Sequence, residues 1–165
     1  MKQIGIFSDT HGFLNPNLYK FFEHCDELWH AGDWGDVATF DKVEQFKPLK
    51  TVWGNIDGTD LRVRMPEILI FEEQGLTVCM LHIGGYPLKY SPKFKQIVQK
   101  QKIDIMICGH SHILKVIRDK EYNLLHINPG AAGNHGFHKV CTAVRLKIEG
   151  GKLFDLEVWE QTKKF

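Results

Sequence analysis

The stretch 103–112, Ile-Asp-Ile-Met-Ile-Cys-Gly-His-Ser-His, most constrains what this chain can fold into. It begins as an apolar run with the composition of a buried β-strand, and the run stops at Gly109. His110 and His112 follow at once. Because residues i and i+2 of an extended chain point the same way, we expect both imidazoles on one side of the strand end. Paired histidine nitrogens there indicate a transition-metal site.

Four other apolar runs end in the same way, in side chains that commonly bind metals. Those side chains are Asp9 and His11, Asp33, Asn55, and His82. In open α/β sheets, ligands bind outside the carboxyl ends of the strands, so these donors are expected to meet there. Mixed nitrogen and oxygen donors favour manganese, iron, zinc or nickel over calcium or magnesium. Seven donors exceed the needs of one ion, and a carboxylate shared between two ions about 3.5–4 Å apart would use them all.

The order of the predicted elements indicates an α/β fold. Strands and helices alternate up to about residue 53, which predicts a parallel sheet with right-handed crossovers. The N-caps of the predicted helices are Asn15, Asp36 and Ser91. Two strands over 67–73 and 76–81 then form a hairpin, and the chain after residue 112 is rich in strands. We therefore predict one domain over 1–165, with two sheets packed face to face and helices outside.

Charge and composition narrow the classes of partner. The formal net charge is +1, so the sequence lacks the basic footprint of a nucleic-acid-binding protein. No apolar run approaches the roughly 20 residues that span a bilayer, so no membrane association is predicted. The four cysteines are scattered and form no CxxC pair, which is typical of reduced cysteines in a cytoplasmic protein.

Taken together, these motifs resemble those of the calcineurin-like metallophosphoesterases. The matching segments are Asp9-x-His11, Gly32-Asp33, Gly54-Asn55, His82 and Gly109-His110-Ser111-His112. Their order and spacing are similar to those of the small single-domain bacterial and archaeal phosphodiesterase branch, which includes the retromer subunit Vps29. The resemblance implies a four-layer α/β/β/α sandwich, in which two mixed β-sheets are flanked by helices.

The resemblance also implies a binuclear metal centre, with manganese favoured and nickel, zinc, iron or magnesium as alternatives. The residues implied for the first ion are Asp9, His11, Asp33 and His112. The residues implied for the second ion are Asp33, Asn55, His82 and His110. Asp33 would bridge the two ions, and the reaction implied is phosphodiester hydrolysis by attack of a metal-bridging hydroxide. The neutral amide of Asn55 would ligate without adding negative charge beside an anionic substrate.

One departure from the family pattern concerns the proton given to the leaving group. Many members have a histidine directly after Gly-Asn, and this chain has Ile56 there. His135 and His138 follow a glycine-rich loop, and we predict that one of them reaches the site and serves as the acid. His24, His30 and His126 are predicted to be structural, and Asp57 and Asp60 to be turn or cap residues. Arg62 and Arg64 are either phosphate-binding residues or part of a solvated strand edge.

Two functions from different classes stay open at this point. The first is a phosphoesterase acting on small phosphate esters, with no nucleic acid and no membrane as partner. The alternative is a Vps29-like non-catalytic scaffold that binds other proteins. A nuclease is disfavoured by the near-zero net charge. Whether the chain forms a homo-oligomer is left open.

Overall fold

The computed structural model describes residues 1–163, and its element order follows the alternation seen in the sequence. The elements of this part of the chain are β1 (Lys2–Phe7), α1 (Pro16–Phe21), β2 (Glu27–His30), α2 (Val37–Phe46), β3 (Leu49–Thr51), α3 (Thr59–Arg62), β4 (Ile68–Glu73), β5 (Leu76–Leu81), β6 (Gly85–Tyr86), β7 (Lys89–Tyr90), α4 (Pro92–Lys100), β8 (Ile105–Ile107), β9 (Leu114–Asp119), β10 (Leu124–Pro129), β11 (Val140–Glu149) and β12 (Lys152–Thr162).

Two five-stranded sheets form the centre of the molecule. The strand order of the first sheet is β12-β11-β1-β2-β3, and that of the second is β4-β5-β8-β10-β9. In the first sheet, β1, β2 and β3 are parallel, and β11 joins β1 antiparallel. In the second sheet, β5, β8 and β10 are parallel, while β4 and β9 pair antiparallel at the two edges. Both sheets are therefore mixed, as predicted.

The main apolar core lies between the two sheets. Ile4, Ile6 and Trp29 of the first sheet pack in one cluster with Val78 and Ile107 of the second, and all five side chains are buried. Strands that are covered on both faces need apolar side chains in near-continuous runs, which is the pattern that the sequence shows around residues 4–7 and 103–108. This core holds the carboxyl ends of β1, β2, β5 and β8 at one edge of the sandwich.

Helices cover the outer faces of both sheets, which confirms the predicted four-layer sandwich. Leu18 of α1 and Phe40 of α2 pack with Phe7 on the first sheet, and Phe94 of α4 packs with Met106 on the second. The three predicted N-caps are confirmed, since each of their side chains accepts a hydrogen bond from a backbone N–H of its helix: Asn15, Asp36 and Ser91. No helix of residues 1–163 is long and apolar enough to cross a membrane.

Three short elements were not anticipated from the sequence. The helix α3 occupies the region of Arg62 and Arg64, for which a strand edge was one of two alternatives. The two-residue strands β6 and β7 form a small hairpin directly after His82. Elements this short bury too few residues to produce a periodic apolar pattern, so sequence periodicity does not reveal them.

The buried histidine His126 makes the folded state sensitive to acid. It is 1% exposed, and its ring lies near Tyr90. Burial, followed by the charge of Lys115, lowers the pKa of His126 to about 4, although Asp119 acts in the opposite direction. An unfolded histidine has a pKa of about 6.5. The neutral, buried His126 therefore adds to the free energy of unfolding above that pH, and this contribution is lost as the pH falls toward 4.

We therefore expect His126→Gln to reduce the acid sensitivity of folding. Between pH 7.5 and pH 5, the wild-type free energy of unfolding should fall by roughly 2 kcal/mol more than that of the variant. Urea unfolding at the two pH values measures this difference. His24→Gln is the matched control, because His24 is exposed and its replacement should leave the pH dependence as in the wild type. Equal pH dependence of His126→Gln and wild type would contradict the prediction.

Candidate metal centre

The predicted donors meet where the carboxyl ends of the central strands approach one another. Asp9 follows β1 and Asp33 follows β2 in the first sheet, whereas His82 follows β5 and His110 follows β8 in the second. The site therefore lies between the two sheets, on loops held by the rigid inter-sheet core. All seven predicted donors lie in this region, and six of them form two triads.

The backbone at these strand ends is not extended, and this corrects one step of the sequence argument. Five of the seven donors have positive φ angles in the left-handed region: Asp9 (56°), His11 (46°), Asp33 (61°), His110 (72°) and His112 (62°). Such conformations cost of order 1–3 kcal/mol for a non-glycine residue and concentrate at functional sites. The sharp turns separate His110 from His112, so the two imidazoles belong to different triads instead of sharing one side of a strand.

The first triad combines Asp9, His11 and His112, with its ligand atoms all within 4.8 Å of one another. Asp9 Oδ1 lies 3.1 Å from His112 Nε2 and 3.7 Å from His11 Nε2. The second carboxylate oxygen, Oδ2, accepts hydrogen bonds from the Ser8 hydroxyl (2.6 Å) and the His110 backbone N–H (3.1 Å). One oxygen of Asp9 is thus fixed by the protein, and the other is left to face the imidazoles.

The second triad combines Asp33, His82 and His110, again within 4.8 Å. His82 Nε2 lies 3.1 Å from Asp33 Oδ2, and His110 Nδ1 lies 3.0 Å from Asn55 Oδ1. The Nδ1–H of His82 donates to the Ala31 carbonyl at 2.8 Å, which leaves Nε2 with a lone pair. Metal-binding histidines are commonly oriented by such a hydrogen bond from the other ring nitrogen.

Asp33 stands between the two triads. Its Oδ2 is 3.1 Å from His82 Nε2 in the second triad and 3.5 Å from His11 Nε2 in the first. Its Oδ1 accepts the Ile56 backbone N–H at 3.1 Å. This position, in reach of donors of both triads, is the one expected of a carboxylate shared by two ions.

Three buried polar atoms of the site have no hydrogen-bond partner among the described residues, namely Asp9 Oδ1, His11 Nε2 and His82 Nε2. Leaving such an atom buried and unpaired costs about 1–3 kcal/mol, and more for a charged group. All three atoms have lone pairs and face one another. The residues present therefore fit divalent metal ions, because a cation would satisfy all three atoms at once.

The electrostatics of the site favour positive charge. For Asp9, burial acts to raise the pKa, but the neighbouring imidazoles of His11, His112 and His82 and the hydrogen bond from Ser8 outweigh burial and lower the pKa. For His82, burial acts to lower the pKa, but the carboxylates of Asp33 and Asp9 outweigh burial and raise the pKa. The two buried carboxylates thus stabilise a cation at this position, whether it is a proton or a metal ion.

Asp57 holds the loops that carry the second triad, a role that the sequence indicated only as a turn or cap. Its buried carboxylate accepts backbone N–H groups from Gly54 (2.8 Å), Asp33 (3.0 Å), Gly35 (3.0 Å) and Trp34 (3.2 Å). The local bond from Gly54 to Asp57 is the capped turn that the sequence predicted. The bonds from residues 33–35 join Asp57 to a loop more than 20 positions earlier in the chain. Only their proximity in the fold reveals that Asp57 positions Asp33.

A glycine is required at the start of the Gly-His-Ser-His segment. A Cβ at Gly109 would come within 2.2 Å of Ser8 Oγ and 2.6 Å of Asp9 Oδ2, far inside van der Waals contact. Asn128, which lies in β10, supports the same segment by donating through Nδ2 to the Gly109 carbonyl and to Ser111 Oγ, both at 3.0 Å. The sequence analysis missed Ser8 and Asn128, because neither belongs to a spacing pattern.

His135 and His138 both lie beside the first triad. The ring of His135 stacks on His11, with centroids 4.8 Å apart, and His135 is exposed. The ring of His138 meets His112 edge-on at 5.1 Å, and its Nε2–H donates to the Gly133 carbonyl at 2.7 Å. Burial lowers the pKa of His138 and keeps its ring neutral near pH 7. His138 is therefore held in place, whereas His135 remains accessible from solvent.

The remaining predicted residues lie outside the two triads. His30 is structural, as predicted: it is buried, stacks on Trp34 at 3.5 Å, and accepts the Gly32 N–H through Nδ1. Arg62 donates to the backbone carbonyls of Asp57 (2.6 Å) and Asn55 (3.3 Å), so it braces the loop of Asn55. Arg64 pairs with Asp41, and neither arginine lies on a strand edge.

Two cavities open beside the triads. The larger, of about 530 Å³, is lined by donors of both triads together with Ile56, His135 and Phe137. The other, of about 340 Å³, adjoins Asn55 and His82 and is lined mainly by apolar groups, including Trp53, Leu81 and Ile83. The site is thus accessible to a small organic molecule with apolar parts.

A family model and a named relative match most of this chain. Residues 1–151 match the family model described as the calcineurin-like phosphoesterase superfamily domain. A protein of Methanothermobacter thermautotrophicus named "Probable metallophosphoesterase" is 28% identical over 160 residues, which cover 94% of this chain and 90% of that protein.

Two solved structures show the same fold. Vps29 of Chaetomium thermophilum has a TM-score of 0.76 at 17% identity, with 99% of this chain and 98% of that chain covered. Wild-type Vps29 of Entamoeba histolytica complexed with Zn²⁺ has a TM-score of 0.72 at 16% identity, with 97% and 98% covered.

Proposed function

Because this chain belongs to the calcineurin-like phosphoesterase superfamily, we propose that it is a metal-dependent phosphoesterase that hydrolyses small phosphodiesters. Two divalent ions serve as cofactors, and manganese is the favoured metal. The observation that carries the proposal is the position of Asp33, whose Oδ2 is within 3.5 Å of imidazole nitrogens from both triads. Zinc is an alternative metal, since the Entamoeba histolytica relative of the same fold was solved with zinc.

The predicted donors form two sets, one for each ion. Asp9, His11 and His112 would hold the first ion, Asn55, His82 and His110 would hold the second, and Asp33 would contribute to both sets. When bound, the ions supply the positive charge that activates water and neutralises phosphoryl oxygens. Asp57 positions Asp33 through the backbone N–H groups of its loop. The amide of Asn55 contributes an oxygen without a charge that would repel the phosphate.

The two cavities support a diester in preference to a monoester. A phosphodiester carries two organic groups, and each needs its own space beside the phosphoryl group. The larger cavity accommodates one of these groups beside His135, and the apolar cavity next to His82 accommodates the other. A monoester would use only one of them.

The proton for the leaving group is assigned to His135. A proton donor must reach the reacting atoms, and His135 is exposed and stacks on His11 of the first triad. His138 is unsuited to this role, because its Nε2–H is already donated to the Gly133 carbonyl. His138 instead supports His112, whose ring it contacts. These contacts support His135 over His138, a choice that the sequence left open.

The scaffold function is a second candidate, and exposed apolar side chains favour it, two of which, Ile113 and Phe137, line the larger cavity. Phe137 is fully exposed, Leu88 is 85% exposed and Ile113 is 63% exposed. Such groups are common at protein interaction surfaces. Turnover separates the two candidates: purified protein supplied with manganese should release nitrophenolate from bis-p-nitrophenyl phosphate. No turnover of several phosphate esters with manganese, zinc, nickel and magnesium would favour the scaffold.

Metal binding should stabilise the folded protein. A ligand that binds only the folded state adds about 2.7 kcal/mol at 100 times its Kd, which corresponds to roughly 5–10 °C in Tm for a chain of this size. We expect manganese to raise the wild-type Tm by this amount. His112→Ala should remove the contribution of the first site and His82→Ala that of the second, as measured by calorimetry together with elemental analysis.

The control for the two ligand variants is His24→Ala, because His24 is exposed and lies outside the triads. Its metal content and its Tm shift should match those of the wild type. A wild-type content that never exceeds one equivalent after careful loading would rule out the two-ion centre. Loss of both ions from either ligand variant would contradict the division of the donors into two sets.

A further inference from the structure

A third cavity, of about 160 Å³, lies on the far side of the Gly109–Ser111 segment and is not used by the proposed reaction. Its walls are the β6–β7 hairpin, through Gly85 and Tyr86, and the strands β9 and β10, through Lys115 and His126. His110 of the second triad also lines it. A group bound in this cavity would therefore lie next to the metal centre.

The polar groups that line the cavity are hydrogen-bond donors. Ser111 Oγ accepts hydrogen bonds from Asn128 Nδ2 (3.0 Å) and from the Ile113 backbone N–H (3.1 Å). Both acceptor positions of this hydroxyl are then used, which leaves its O–H to donate. Lys115 contributes an ammonium group that lies 4.9 Å from the centre of the Tyr86 ring.

His126 provides an independent sign of a missing partner. Its side chain is buried, with only 1% exposed, and its Nδ1 has no hydrogen-bond partner among the described residues. Burying an imidazole nitrogen without a partner costs about 1–3 kcal/mol. His126 is one of the residues that line the cavity, so a group bound there would lie beside this ring.

The charge of the lining specifies the kind of group. Lys115 carries the only formal charge among the residues that line the cavity, and no carboxylate lines it. No ion pair within 4.0 Å joins Lys115 to Asp119 in residues 1–163, and the Asp119 carboxylate accepts the Tyr90 hydroxyl (2.7 Å) and the Glu121 N–H (2.8 Å). A cation, a hydroxyl and a neutral imidazole form a set of donors that matches an oxyanion.

We propose that this cavity binds a second phosphoryl group of the substrate, one that is not hydrolysed. The volume equals that of about five water molecules, which suits a phosphate. The inference rests on the proposed function and narrows it: the natural substrates are phosphodiesters that carry a further phosphate close to the scissile one. Lys115 and His126 are then specificity-determining residues and not catalytic ones.

The kinetic test compares two esters with the same leaving group. Thymidine 5′-(p-nitrophenyl phosphate) has only the scissile phosphate, and its 3′-phosphorylated form has a second one. We expect wild-type kcat/KM to be higher for the 3′-phosphorylated ester, and Lys115→Met to lower the ratio of the two values about tenfold, the effect of one charged hydrogen bond. Lys147→Met removes the same charge from the other sheet and should keep the wild-type ratio. A ratio unchanged by Lys115→Met overturns the proposal.

A second measurement does not depend on activity. In protein freed of metals with EDTA, inorganic phosphate should still raise the Tm by about 3 °C at ten times its Kd, because the cavity needs no metal. Lys115→Met should abolish this shift, and Lys147→Met should retain it. No shift in the wild type, or equal shifts in wild type and Lys115→Met, overturns the inference. Phosphate binding without turnover of any ester would instead show that the phosphoesterase function is wrong while the anion site is right.

Discussion

Asp33→Asn should lower the rate of bis-p-nitrophenyl phosphate hydrolysis by at least about 10³-fold, because a bridging carboxylate contributes to both metal sites and the ions supply several kcal/mol of transition-state stabilisation. The amide keeps the shape of the side chain, and its oxygen can still accept the Ile56 N–H that Asp33 Oδ1 accepts now. What it loses is the negative charge that faces His11 and His82. The loss should appear in kcat, and metal content should fall below two equivalents.

The matched control for this change is Asp41→Asn. Asp41 is about half exposed and pairs with Arg64 on the surface, away from both triads, so its replacement should leave activity within about twofold of wild type. Steady-state kinetics with manganese and elemental analysis of both variants provide the comparison. An Asp33→Asn enzyme with two ions and near wild-type turnover would show that Asp33 does not bridge the ions.

His135→Ala should slow the hydrolysis of alkyl phosphodiesters about 10²–10⁴-fold, the usual contribution of a positioned acid. An alkoxide leaving group is a strong base and must receive a proton as its bond to phosphorus breaks. Nitrophenolate is a weak base and leaves without one, so the same variant should lose little activity on nitrophenyl esters. Stacking of His135 on His11 is the observation that supports this role.

His138→Ala is the contrasting variant, because His138 is hydrogen-bonded to Gly133 and supports His112. We expect it to weaken metal binding and to slow alkyl and nitrophenyl esters equally. Rates on a matched pair of methyl p-nitrophenyl and dimethyl phosphate esters measure the contrast. If His135→Ala slowed both esters equally, His135 would bind substrate and not donate a proton. If it slowed neither, the acid would have to be sought elsewhere.

The sequence by itself was sufficient to predict the fold and the set of donors. Apolar runs that end in glycine and a metal-binding side chain are local signals, and the carboxyl ends of parallel strands must meet at one edge of the sheets. The order of the elements predicted two packed sheets with helices outside, the family resemblance implied the four-layer sandwich, and the residue types at the strand ends predicted the seven donors. Helix starts were predicted equally well, because a cap such as Asp36 acts on the residues directly after it.

Only the tertiary structure showed how the turns separate the two neighbouring histidines and what supports the donors, whereas the division into two sets had been implied by the family resemblance. Left-handed turns at His110 and His112 send neighbouring histidines to different triads, which strand periodicity alone predicted wrongly. The bracing of Asp33 by Asp57, the choice of His135 over His138, and the cavity at Lys115 all depend on contacts between distant segments. Spacing along a chain reports on residues that are near in sequence. These features arise from residues that become neighbours only when the two sheets pack together, so no local pattern could have revealed them.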